Sequence, residues 1–145
     1  MIVIERHIGF TGTREGMLEH QKATLRKLLS LAVNEPLEEQ VVVFHHGDCK
    51  GADAEAHEIA LSVGCMIIIH PPVKRIMRAY CKGAREVLPP LEYLERDRAI
   101  VDSTIGMFAA PKSDKEELRS GTWYTVRYAR KTNKTVILLA RQETV

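Results

Sequence analysis

The sequence is poor in cysteine, in aromatic residues and in uncompensated charge, and it has no long apolar run. Its three cysteines, Cys49, Cys65 and Cys81, are an odd number without a CxxC spacing, which argues against a disulfide framework or a cysteine-rich zinc site. The formal charge of +2 is too small for a protein that coats nucleic acid. No stretch approaches the ~18 apolar residues that span a bilayer, so no membrane partner is expected. The opening MIVIERHIGF lacks the basic start, long apolar centre and small-residue cleavage site of a signal peptide. A cytoplasmic protein with reduced thiols is the expectation. Neither GxGxxG nor the P-loop pattern occurs, so no standard dinucleotide or nucleoside-triphosphate fingerprint is present.

What is there is an ordinary globular composition, 45% hydrophobic and 28% charged over 145 residues. Residues 1–145 are expected to form a single domain. Apolar, β-branched runs lie at 7–10, 41–46, 65–70, 104–110 and 135–140. Helix-period segments fall between them, at about 16–33, 52–64, 91–102 and 121–132. Leu25, Leu28, Leu29 and Ala32 show the period best, at spacings of three and four. Short apolar strands alternating with helices predict an α/β, Rossmann-like, doubly wound parallel sheet of five strands with helices on both faces. The stretch 71–90 resists assignment. Its Lys74, Arg75, Arg78, Lys82 and Arg85 read as a solvated helix face more readily than as a guide for polyphosphate.

In such a sheet ligands bind where strands end and the winding reverses. Three loops there carry small residues and helix starts. FTGTREG offers the hydroxyls of Thr11 and Thr13, the permissive backbone of Gly12, and the planar charge of Arg14. HHGDCKGADAEA places Gly47 and Gly51 around a turn that opens a helix, with Asp48 and Asp53 beside it. RSGTWYTV opens the last helix through Ser120, Gly121 and Thr122. Each loop alone reads as a turn with an N-cap. Three at one sheet edge point to an anion held by backbone N–H groups.

Asp97 is the sharper anomaly. In LEYLERDRAIVD, 100° steps put it amid an apolar arc of Leu91, Tyr93, Leu94, Ile100 and Val101. A carboxylate facing the core needs partners. It can tie down the glycine-rich loops, accept from a ligand hydroxyl, or act as an acid/base group. Arg96 falls at the edge of the arc and Arg98 within it. His45 and His46 are adjacent on a strand and so point to opposite faces. With Asp48 and Cys49 they give no converging ligand set, and neither a metal nor a cofactor is expected. His70 reads as a strand terminus before Pro71.

GFTGTR, HGDCKGAD, YLERDRAIVD before TIGMFAAP, and SGTWYTVRYA before TVILL, in this order, resemble the SLOG superfamily. That group includes the DprA-like and LOG-like Rossmann-type nucleotide-binding domains. The resemblance covers about residues 7–140 and is nearest to the small stand-alone branch. It implies strand order 3-2-1-4-5 with a ligand cleft over strands 1 and 4. Carried over, the motifs contribute Gly12, Thr13 and Arg14; Gly47, Asp48, Gly51 and Asp53; Arg96, Asp97 and Arg98; and Gly121, Thr122 and Trp123. The family has Asn where Asp97 stands. LOG enzymes carry a catalytic Glu where this chain has Thr125, and their Pro-Gly-Gly lead is missing here. Phosphoribohydrolase chemistry by that route is therefore disfavoured, leaving Asp97 and Asp48 as candidate catalytic groups, with Asp53 as a further substitute carboxylate.

The leading expectation is a domain that binds a nucleotide or nucleotide-derived small molecule. Phosphate would meet the N–H groups around Gly12, Gly121 and Thr122, with Arg14 closing over it. An N-glycosidic hydrolase and a DprA-like single-stranded DNA binder are the alternatives, the latter disfavoured by low charge. Trp123, Tyr124 and Tyr128 beside the last helix suggest a homodimer face, and Trp123 could offer an aromatic surface to a base.

Overall fold

The computed structural model describes residues 3–35 and 40–143. Residues 1–2, 36–39 and 144–145, included in the single-domain reading, lie outside the described residues. Along the chain run β1 (Ile4–Gly12), α1 (Glu19–Val33), β2 (Gln40–His46), α2 (Ala52–Val63) and β3 (Met66–Ile69). A 3-10 turn (Arg75–Met77) leads to β4 (Glu86–Val87), then α3 (Tyr93–Asp102), β5 (Gly106–Ala110), α4 (Gly121–Lys131) and β6 (Thr135–Leu138). No helix among them is long and apolar enough to cross a membrane.

The sheet is parallel throughout, in order β4-β3-β2-β1-β5-β6. The five expected strands keep their expected order, but the sheet has six strands rather than five. The addition is β4, whose two exposed residues pair with Ile68 and Ile69 at the edge. A two-residue strand with no buried side has no alternation to betray it, and Pro89-Pro90 follows just after Leu88. The basic stretch is not a helix face either. Arg78 and Arg85 are held in ion pairs with Asp48 and Glu5.

Both faces of the sheet are covered, and strand periodicity decides what each face holds. Phe10, Val42 and Phe44 pack with Leu25, Leu29, Ala56 and Ala60 under α1 and α2. Phe10 and Phe44, both fully buried, set their ring centroids 5.9 Å apart. On the other face Met107 meets Ile100, Val101 and Ala129, and Ala109 meets Trp123 and Val126. Burying one such large side chain contributes about 1.5–3 kcal/mol.

The starts of α1 and α4 place the loops at the carboxyl edge of the sheet. α1 begins at Glu19, later than the periodicity implies, because Gly16 takes φ +90° and the chain stays extended through Leu18. Gln21 fixes that start: its Oε1 accepts from Leu18 N–H at 2.7 Å and its Nε2 donates to the Leu139 carbonyl at 2.7 Å. α4 starts conventionally, with Ser120 Oγ accepting from Trp123 N–H at 3.1 Å.

Candidate functional site

The sheet order reverses direction between β1 and β5, and a cleft of about 510 Å³ opens at the carboxyl ends there. Its size is that of a small-molecule site. Thr11, Gly12, Thr13 and Arg14 form one wall, Gly47, Cys49 and Asp53 a second, and Tyr93, Arg96 and Asp97 the floor side. Lys112, Glu117, Arg119, Ser120, Gly121 and Thr122 close it from the loop that enters α4.

Arg96 organises the buried end. It is only 5% exposed, and its Nε donates to Asp97 Oδ1 at 2.7 Å. Its Nη1 donates to the Gly47 carbonyl at 2.6 Å and to the His70 carbonyl at 3.3 Å. A Cβ at 47 would meet the Arg96 guanidinium, so any side chain there forces Arg96 to move. The guanidinium thus ties the end of β2, the end of β3 and α3 together. Asp97 takes this cation as its partner rather than loop N–H groups, and burial, only partly offset by Arg96, raises its pKa. The Thr125 hydroxyl, which donates to the Gly121 carbonyl at 2.9 Å, lies beside the same carboxylate. Arg98 does not reach the cleft; its Nη1 donates to Tyr124 Oη at 2.8 Å.

Asp53 seals the start of α2. Its Oδ2 accepts from Cys49 N–H at 3.1 Å, so this N–H is not free for a ligand. Burial pushes its pKa up to about 6, against the attraction of Arg96. Gly51, at φ +94°, presses against the Arg14 carbonyl, where no Cβ fits. It shapes the wall from behind and does not line the cleft.

Two further expected residues also lie outside the lining. Asp48 is fully buried with φ +57°, a left-handed turn that aims its carboxylate away from the cleft. It accepts from Arg78 Nε at 2.9 Å and from Cys81 N–H at 3.0 Å, pinning the 78–81 segment to the end of β2. Trp123 is 3% exposed, with its indole N–H donating to the Ser113 carbonyl at 3.1 Å. It packs on Ala109 and Val126 and does not line the cleft. Tyr124 and Tyr128 engage their hydroxyls with Arg98 and Asp102 within the chain.

The open anchor is the start of α4. Among the described residues, the N–H groups of Gly121 and Thr122 meet no acceptor, as befits the first two residues of a helix. Nothing lies within 4 Å of where a Gly121 Cβ would be. Arg14, Lys112 and Arg119 share the cleft, and none of the three forms an ion pair among the described residues. Thr13 N–H, by contrast, donates to the Ala110 carbonyl at 2.9 Å. Ala52 N–H, the first of α2, likewise donates to the Thr13 carbonyl at 2.9 Å, so of the two helix starts that border the cleft, that of α4 keeps its first amide open.

Tyr93 and Glu117, which sequence reasoning did not single out as ligand contacts, also line this cleft. The Arg14 and Arg96 guanidinium carbons lie 5.1 and 5.4 Å from the Tyr93 ring centroid.

The histidines divide between the faces as strand alternation requires. His45 bridges His7 and His70 at 2.7 and 2.8 Å, and burial lowers the pKa of His45 to about 3. On the other face, ligand atoms of His46, His57 and Cys81 lie within 4.8 Å of one another. Their tautomers oppose a metal. His46 Nδ1 accepts from Asp48 N–H at 2.9 Å, so its Nε2 carries the proton that faces His57 Nδ1 at 2.8 Å. Burial, with the neighbouring Asp48, pushes the Cys81 thiol up to about 12. All three cysteines are free.

Comparison with solved structures settles the architecture. The molybdenum cofactor binding protein of Rippkaea orientalis superposes with a TM-score of 0.67 at 21% identity, over 92% of this chain and 76% of that one. DNA processing protein A (DprA) of Streptococcus pneumoniae gives 0.66 at 21% identity, over 92% of this chain and 50% of that one. The chain has the DprA-like fold. A DprA of Helicobacter pylori, described for its single-stranded DNA binding mode, gives 0.59 at 20% identity over 92% and 64%. The chain thus spans about half the length of the pneumococcal protein. The SLOG resemblance is met at the level of the fold. No family model and no curated protein matches the sequence.

Proposed function

We propose that the cleft binds a phosphate-bearing small molecule of the nucleotide type. The observation that carries this reading is the meeting of the free Gly121 and Thr122 amides with Arg14, Lys112 and Arg119 where β1 and β5 end. A helix start alone stabilises an anion by about 0.3–1 kcal/mol, and each charge-assisted hydrogen bond adds about 1.5–3 kcal/mol. Two amides and one or two guanidinium contacts are enough for micromolar to millimolar binding after ordering costs. Asp53 and Asp97 order the buried wall, and Thr11 and Thr13 supply hydroxyls. Rippkaea orientalis provides a protein of this fold that binds a small molecule, its molybdenum cofactor.

The Helicobacter likeness favours a second reading, single-stranded DNA, despite the low net charge. The two separate by salt. A mononucleotide site loses little affinity between low and moderate salt, whereas a strand neutralised at several phosphates loses orders of magnitude. Calorimetry against inorganic phosphate, AMP, GMP and a short oligonucleotide tests both. Saturable heat with a mononucleotide, weakened about 10- to 100-fold by Arg14→Ala, is expected. No heat with any phosphate compound at millimolar concentration contradicts the proposal.

A further inference from the structure

Among the described residues, two buried side-chain polar atoms have no hydrogen-bond partner, Tyr93 Oη and Glu117 Oε1. Both residues line the cleft, one from the first turn of α3 and one from the loop entering α4. Such groups are rare in folded proteins, because water is lost and nothing replaces it. Each costs stability as it stands. Their coincidence in one cavity has a common explanation if a ligand completes both.

Their chemistry restricts that ligand. Glu117 is a carboxylate and only accepts, so it needs donors: hydroxyls or ring N–H groups. Beside a phosphate subsite it also repels any second anionic group. Tyr93, held against the guanidinium groups of Arg14 and Arg96, presents a phenolic O–H that donates to a ligand oxygen. Inorganic phosphate and oligophosphates satisfy the cations but leave Glu117 facing negative charge. A phosphate monoester with donors on its organic part satisfies all of them.

We propose that Tyr93 and Glu117 are the selectivity residues of the cleft, reading a donor-bearing phosphate monoester and rejecting bare anions. This rests on the phosphate-site reading above. The donors belong either to a sugar or to a base, and ribose 5-phosphate and GMP separate these two sources.

The test measures affinity for inorganic pyrophosphate, ribose 5-phosphate and GMP, with melting temperature in the absence of ligand. For Tyr93→Phe the melting temperature is expected to rise, by about 2–4 °C, while affinity for the preferred monoester falls about 3- to 10-fold. A hydroxyl with a merely structural partner gives the opposite shift in melting. For Glu117→Gln, pyrophosphate binds more tightly and the monoester more weakly, so the preference shrinks from both sides. If both variants leave the ratio of monoester to pyrophosphate affinity unchanged, or if Tyr93→Phe lowers the melting temperature, the inference is overturned. Arg14→Ala separates the two levels. Weakening of every probe by Arg14→Ala, with an unchanged ratio in the other variants, overturns the selectivity alone. No effect of Arg14→Ala on any probe overturns the site and the selectivity together.

Discussion

The helix starts at Ala52 and Gly121 are similar in sequence, each a glycine-bearing loop after a strand end, yet they do opposite things. At α4, among the described residues, the first two amides are free, the Cβ space at Gly121 is open, and unpaired cations share the cavity. At α2 the preceding Cys49 N–H is already taken by Asp53, and Gly51 is wedged against the Arg14 carbonyl. The first arrangement is a socket and the second is a wall. Glycine and a helix dipole are therefore not enough to make an anion site. What decides is whether the protein's own acceptors reach the amides first: Ala52 N–H, the first of α2, donates to the Thr13 carbonyl at 2.9 Å. Asp53 adds to this by taking the Cys49 N–H just before the helix, although its burial raises its pKa and so works against the charge a helix dipole would favour.

Removing the cation that holds the wall should do the most damage. Arg96→Met leaves Asp97 without its ion-pair partner and the Gly47 and His70 carbonyls without a donor. Loss of about 3–5 kcal/mol in chemical denaturation is expected, the range for breaking a buried pair. A loss below about 1 kcal/mol would mean that the network does not hold the wall. The two glycines sharpen the contrast next. Gly51→Ala must put a side chain at φ +94° into backbone, and should cost at least about 2 kcal/mol. Gly121→Ala enters open space on a helix and should change stability by no more than about 1 kcal/mol, in the stabilising direction. Equal costs at both positions would erase the distinction.

Asp53→Asn acts through pH. The folded carboxyl titrates at about 6, above its ordinary 3.8, so its contribution to stability is fully present below 3.8 and lost as pH rises through 6. Relative to the parent, the variant should gain on the order of 2 kcal/mol between pH 4 and pH 8, with the gain complete above about pH 7. Because neutral Asp53 repels an anion less, phosphate-ester affinity of the parent should rise as pH falls through 6, and that step should vanish in the variant. A parent profile flat across pH 6, once the ligand's own titration is subtracted, would contradict the raised pKa.

How much of this was legible in the sequence differs by element. The five longer strands announced themselves through apolar runs, which burial on both faces demands of β2, β3 and β5, while β6 carries such a run with Ile137 and Leu138 exposed at the sheet edge. β4 could not, being two exposed residues held only by backbone pairing. Helical spacing placed Asp97 in the core-facing arc, and it is buried. The same spacing left Arg96 at the edge, because it tracks the Cβ and not the length of a guanidinium that reaches back to Gly47. Asp48 and Trp123 carried the expected motif positions but are turned elsewhere, one by a left-handed backbone and one by packing on Ala109. Tyr93 and Glu117 gave no signal beyond their presence on a helix start and a loop. Only the enclosing cavity reveals that their polar atoms lack partners.

The central claim is that a phosphate-bearing ligand sits on the α4 start and not on the α2 start. Titration of GMP into the isotope-labelled protein, followed by amide NMR, reads both places at once. The account predicts large, saturable shifts of the Gly121 and Thr122 resonances, with those of Cys49 and Ala52 moving little. Shifts concentrated at Cys49 and Ala52, or none at Gly121 and Thr122 at saturating ligand, would contradict it.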